Sequence, residues 1–70
     1  MNLRIKQLRR QQNLTLQQLS ELSGVSNGYI SDLENGKEGN PSLIILQKIA
    51  TGLGVTIPEL FEAVSNEGES

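Results

Sequence analysis

Apolar residues recur along this chain at intervals of three and four, and no stretch alternates apolar with polar for long enough to make a strand. The pattern predicts an all-α chain of five short helices. The first spans about Leu3 to Gln12, with Ile5 and Leu8 one turn apart, Met1 extending the stripe, and Arg4, Lys6, Arg9 and Arg10 on other faces. Asn13 stops it, because asparagine tolerates the left-handed conformation that ends helices. Thr15-x-x-Gln18 is a capping box that opens a second helix, in which Leu16, Leu19 and Leu22 follow at helical spacing. Gly24 ends that helix. Val25 is a buried pin, Ser26 is the next N-cap, and the third helix runs to about Glu34 with Tyr29, Ile30 and Leu33 facing inward. Asn35-Gly36 stops it, and a polar loop from Lys37 to Pro41 follows. Ser42 caps a fourth helix, Leu43 to about Thr51, carrying Leu43, Leu46, Ile49 and Ala50, with Gly52 and Gly54 punctuating its end. A second capping box, Thr56-x-x-Glu59, with Pro58 in the first turn, opens a short fifth helix from about Ile57 to Val64. Ser65 to Ser70 reads as a polar tail, which leaves one domain over residues 1–64 and a flexible segment over 65–70.

The segment from Leu16 to Asn35 is the informative one. Two short helices joined by Ser23-Gly24-Val25 predict a steep crossing, with the small Ser20 letting them approach. Leu19, Val25, Ile30 and Leu33 form a wedge that props the third helix outward. Its other face, Asn27, Gly28, Ser31 and Asp32, is bare and polar. A rigid helix presented in this way fits a DNA major groove.

The motifs GVSNGYISDLENGK (24–37) and NPSLIILQKIATGLGV (40–55), within the run 14–61, resemble the Cro/repressor-type (XRE-type) helix-turn-helix family; the likeness covers about nine-tenths of the chain. Within that family the NPS loop is most similar to sporulation-repressor-like and cupin-fused regulators. The resemblance implies a compact five-helix, lambda-repressor-like domain with the helix-turn-helix over about residues 16–35. It implies base reading at Asn27, Gly28 and Asp32, and phosphate contacts at Ser26, Tyr29, Ser31, Asn35 and Lys37. It further implies a structural bridge between Arg9 and Glu34, and a homodimer on double-stranded DNA. Family members often carry glutamine as the first residue of the second helix, on a phosphate. This chain has Leu16 there, which shifts the expected contact to Gln17 or removes it. Ser23 stands where an apolar residue is common, with Leu22 beside it as a possible substitute.

Each of these positions also has a plainer reading. Asn27 is an adenine reader or a polar residue of a first turn. Gly28 admits a base edge or phosphate, or is only an adaptable helix position. Asp32 accepts from a cytosine amine, or repels wrong sequences, or is solvated. Tyr29 touches a phosphate or covers the core edge, and Lys37 is a phosphate contact or a loop lysine. Arg4, Lys6 and Arg10 form an electrostatic rim or a solvated face. Leu60, Phe61 and Val64 are core, or part of a dimer contact that extends to the end of the fourth helix and the loop before the fifth.

Composition narrows the chemistry. The 70 residues contain no cysteine and no histidine, which removes disulfides, thiol nucleophiles, imidazole bases and the usual zinc sites. Glu59 and Glu62 lack further oxygen ligands for a metal, and no phosphate loop or acid/base pair is present, so neither a cofactor nor an enzyme is expected. The net charge of −2 and the pI near 4.9 count mildly against nucleic acid. The distribution softens this, because residues 1–58 carry +2 and the last twelve carry −4. No apolar run is long enough to span a membrane and no signal peptide is evident, so the default is a cytoplasmic, nucleoid-associated protein. The expected function is a sequence-specific transcriptional regulator, a repressor on a palindromic operator. The alternative is a protein-interaction module, antitoxin-like or coupled to a fused sensor domain, in which DNA is secondary.

Overall fold

Four α-helices follow one another in the computed structural model, which describes residues 3–37 and 40–61: α1 (Ile5–Gln11), α2 (Leu16–Ser23), α3 (Asn27–Glu34) and α4 (Leu43–Leu53). A single 3₁₀ turn, Pro58–Leu60, comes last. The all-α expectation holds, but the fifth helix contracts to that turn. Phe61 swings to φ −92°, ψ 150° and bridges antiparallel to Leu3, and the Arg4 N–H donates to the Leu60 carbonyl at 2.6 Å. The same pairing draws Leu3 and Arg4 out of α1, which therefore begins two residues later than its apolar stripe suggests. Val64 and the 65–70 tail lie outside the described residues.

Local chemistry sets the helix ends. Thr15 Oγ1 accepts from the Gln18 N–H at 3.0 Å and Gln18 Oε1 accepts from the Thr15 N–H at 2.8 Å, a complete capping box. Ser26 and Ser42 cap α3 and α4 by accepting from the N–H groups of Tyr29 and Ile45, each at 3.2 Å. The box at Thr56 is one-sided. Glu59 Oε1 accepts from the Thr56 N–H at 2.7 Å and from its hydroxyl at 2.9 Å, while the Glu59 N–H donates to the Thr56 carbonyl, as 3₁₀ geometry requires. At the other ends, α1 closes on Asn13 at φ 58°, with the N–H groups of Leu14 and Asn13 returning to the Arg9 and Arg10 carbonyls at 3.0 Å. This paired closure recurs after α3 and α4.

The core is built from Ile5, Leu8, Leu19, Val25, Ile30, Leu33, Leu46, Ile49, Ala50, Leu53 and Leu60. Its tightest contact is between α2 and α4. A Cβ added to Gly52 would meet backbone and Cβ atoms of Ser23 at 3.1 Å. Gly52 is therefore an interior residue of α4 that lets the two helices touch, and Gly54, at φ 72°, is the actual stop. This crossing also corrects the inward stripe of α2. Leu16, Leu19, Ser20 and Ser23 lie at i, i+3, i+4 and i+7 and face inward; Leu22 is 57% exposed and does not stand in for Ser23. On α4, Leu43 is likewise exposed, at 68%, because the inward face begins with the half-buried Ile45 and the buried Leu46. Gln12 adds a tie from α1, its Nε2 donating to the Leu53 carbonyl at 2.6 Å. Among the described residues no helix is long and apolar enough to cross a membrane.

Candidate nucleic-acid interface

Two serine hydroxyls hold the turn before α3. Ser20 Oγ donates to the Val25 carbonyl at 2.6 Å, and Ser23 Oγ accepts from the Val25 N–H at 3.2 Å. Gly24 supplies the left-handed residue, at φ 77°, and Val25 plugs into the core. Ser20 thus acts through its hydroxyl in the turn between α2 and α3, while the close approach at Ser23 and Gly52 joins α2 to α4. Ile30 and Leu33 anchor the inner side of α3 in the core, with 0% and 4% exposure. The helix cannot roll without exposing them.

The far end of α3 is fixed by charge. Arg9 Nε and Nη2 donate to the two carboxylate oxygens of Glu34 at 2.8 and 3.1 Å, a bidentate pair in which the side chains are only 11% and 4% exposed. Arg9 Nη1 also donates to the Leu14 carbonyl at 2.7 Å. One guanidinium therefore ties together α1, the α1–α2 turn and the end of α3. The hydrogen bonds to Glu34 hold the Arg9 pKa above its ordinary value, burial opposes them, and the opposite charge adds to them. The Arg9–Glu34 pair was implied by the family resemblance; the bond to Leu14 was not expected, because a backbone acceptor leaves no mark on residue identity.

The outer face of α3 is as polar as its sequence. Asn27, Gly28 and Asp32 are exposed, and the side chains of Asn27 and Asp32 make no hydrogen bond to other described residues. Nothing lies within 4 Å of where a Gly28 Cβ would sit, so that position is open to an approaching molecule. Around this face, Ser26 is exposed and Ser31 is half-buried, accepting from Asn35 Nδ2 at 3.4 Å. Tyr29 is half-buried with its ring against the core. Lys37 is exposed just past the helix, its N–H donating to the Asp32 carbonyl at 2.8 Å. At the start of α2, Leu16 packs half-buried against the core, whereas Gln17 is exposed and bonds Glu21 at 3.3 Å.

The expected dimer contact divides differently. Leu60 is fully buried in its own core and is unavailable to a second copy. Phe61 is half-buried beside Leu3, and Val64 falls outside the described residues. Exposed apolar surface lies instead at Leu43 and Ile44, which line a shallow groove with Gln47, Lys48 and Ile57. The fourth-helix stripe read as core concealed that surface. Among the described residues no group of three or more acidic, cysteine or histidine side chains could hold a metal ion.

Residues 5–60 match the family model described as helix-turn-helix. The HTH-type transcriptional regulator DdrOP3 of Deinococcus deserti is 38% identical over 66 residues, covering 94% of this chain and 50% of its own length. The chain thus spans about half the length of curated relatives of this kind. Among solved structures, the N-terminal DNA-binding domain of SinR from Bacillus subtilis superposes with a TM-score of 0.80 at 33% identity, covering 90% of this chain and 91% of that one. The restriction-modification controller protein C.AhdI from Aeromonas hydrophila gives 0.78 at 36% identity, covering 83% and 86%. With matched sequence, matched fold and an outward polar α3, this chain belongs to the helix-turn-helix family of the Cro/repressor (XRE) type.

Proposed function

We propose that this chain binds double-stranded DNA at a specific sequence and regulates transcription by occupying its site, as a repressor. The observation that carries this is the outer face of α3, where Asn27, Gly28 and Asp32 are exposed and uncommitted while the inner face is locked in the core. In this reading α3 enters the major groove and Asn27 pairs with an adenine. Asp32 accepts from a base amine, and Gly28 lets a base edge approach the backbone. Ser26, Tyr29, Ser31, Asn35 and Lys37 surround that face and position it on phosphates. Gln17 replaces Leu16 at the start of α2, where the capping box leaves the N–H groups of Leu16 and Gln17 without helical partners for a phosphate oxygen.

With so few bases, one domain alone binds weakly. Two copies on a palindromic site, with recognition helices roughly 34 Å apart, supply the missing affinity. The exposed Leu43 and Ile44, beside the half-buried Ile57 and with Phe61 nearby in sequence, offer apolar surface for such a pairing. The test is a binding titration of upstream and genomic DNA fragments across salt, with unrelated DNA as competitor. A selective site that Asn27→Ala abolishes supports the reading. Absence of any selective site at every salt concentration overturns it.

A further inference from the structure

On the first helix and the two residues before it, Leu3, Arg4, Lys6, Gln7, Arg10 and Gln11 line an open groove of about 550 Å³. Among the described residues its lining carries three cations and no acid. Among the described residues none of the three forms an ion pair, and Lys6 and Arg10 are exposed. Half of the chain's six basic side chains therefore line one wall without an ion pair among the described residues.

The described chain ends at this wall. Phe61 bridges to Leu3, and the Leu60 carbonyl accepts from the Arg4 N–H, so Phe61, the last described residue, lies beside the residues that line the groove. The nine residues 62–70 contain Glu62, Glu67 and Glu69 and no basic residue. We propose that this acidic segment docks on the basic groove of α1, with its carboxylates against Arg4, Lys6 and Arg10.

Reach and charge both suit the contact. A nine-residue coil has a root-mean-square span of roughly 16 Å. The seven residues of α1 rise about 10 Å, so the carboxylates reach every cation of the groove. Tethering puts the acids at an effective concentration on the order of millimolar without any further binding partner. The Glu59 carboxylate, just before the exit, already lies in the field of Arg4. The attraction is exposed and long-range, so it fades as the screening length falls below about 10 Å above 0.1 M salt. The contact is independent of what α3 reads.

The absence of cysteine makes the test clean. Ser70→Cys in the full chain is labelled with a nitroxide, and amide line broadening is measured at low salt. The expected result is broadening concentrated on α1 amides facing the groove. It should disappear at about 0.5 M salt and in the folded Arg4→Gln/Lys6→Gln/Arg10→Gln variant, whose fold is checked by its unbroadened amides. Broadening spread evenly over the molecule, or unchanged in that variant, overturns the proposal. So does a result in which the segment leaves α1 untouched while a short random duplex shifts the α1 amides, because the groove then faces phosphate.

Discussion

Removing either partner of the Arg9–Glu34 pair should cost most of what this small domain has. Glu34→Ala leaves a guanidinium that is 11% exposed without its counter-charge; Arg9→Ala leaves a 4% exposed carboxylate and also strips the Leu14 carbonyl of its donor. Breaking a buried pair on one side costs about 3–5 kcal/mol. A 70-residue domain has a total stability of roughly 4–10 kcal/mol, so either change removes a large share. At this size each kcal/mol moves the melting temperature by about 4–8 °C, which predicts a fall of at least ~12 °C. Arg9→Ala should be the worse of the two, because of Leu14. Removing both should cost little more than either one, giving a coupling only slightly below the single cost of about 3–5 kcal/mol. Arg9→Met/Glu34→Leu restores apolar contact but leaves the Leu14 carbonyl unpaired, so it should approach the parent without exceeding it. Urea and thermal unfolding followed by circular dichroism give all four values. Single losses below about 1 kcal/mol that add in the double variant would mean that the pair behaves as an exposed one and the tying role is wrong.

Two glycines on helices should respond in opposite directions. Gly52→Ala drives a Cβ into helical backbone at Ser23 and should destabilise by about 1–2 kcal/mol despite alanine's better helix propensity. Gly28→Ala meets open space and should stabilise by up to ~1 kcal/mol; the same unfolding curves check both. Hydrogen bonds from the Thr56 backbone, then from its hydroxyl, hold the Glu59 pKa below the usual carboxylate value. Its contribution is therefore complete above the unfolded carboxylate pKa and fades as pH falls through the lower folded value. The melting temperatures of the parent and Glu59→Gln should accordingly differ at neutral pH and converge in acid; curves that stay parallel in acid would remove this role. Lys37→Ala should weaken DNA binding evenly across sequences and lower the salt slope by about 1, whereas Asn27→Ala should relax discrimination at one base position by about 1–3 kcal/mol.

Much of this was legible in residue identity because it depends on local chemistry. Thr15 with Gln18, Ser26, Ser42 and the stops at Asn13, Gly24 and Gly36 set helix ends within a few residues, so a single sequence displays them. The outward polar face of α3 followed from Ile30 and Leu33, whose burial leaves Asn27, Gly28 and Asp32 outside. Long-range contacts misled the reading. Ser23 is buried because Gly52, 29 positions on, comes against it, and a serine facing inward displaced the apparent stripe to Leu22. The 3₁₀ turn depends on a backbone bridge between Leu3 and Phe61, 58 positions apart, that no side chain advertises. Leu43 and Ile44 are apolar yet exposed, so hydropathy alone placed Leu43 in the wrong environment.

The separation of labour within α3 has an evolutionary corollary. The solvated side chains of Asn27 and Asp32 hold up nothing behind them, and exchanges at such positions usually shift stability by no more than about 0.5 kcal/mol. In the proposed mode of binding, a new address can therefore be written on this rod one letter at a time while the frame that carries it stays intact. Descendants of one ancestral scaffold could diverge widely in target without passing through an unfolded intermediate.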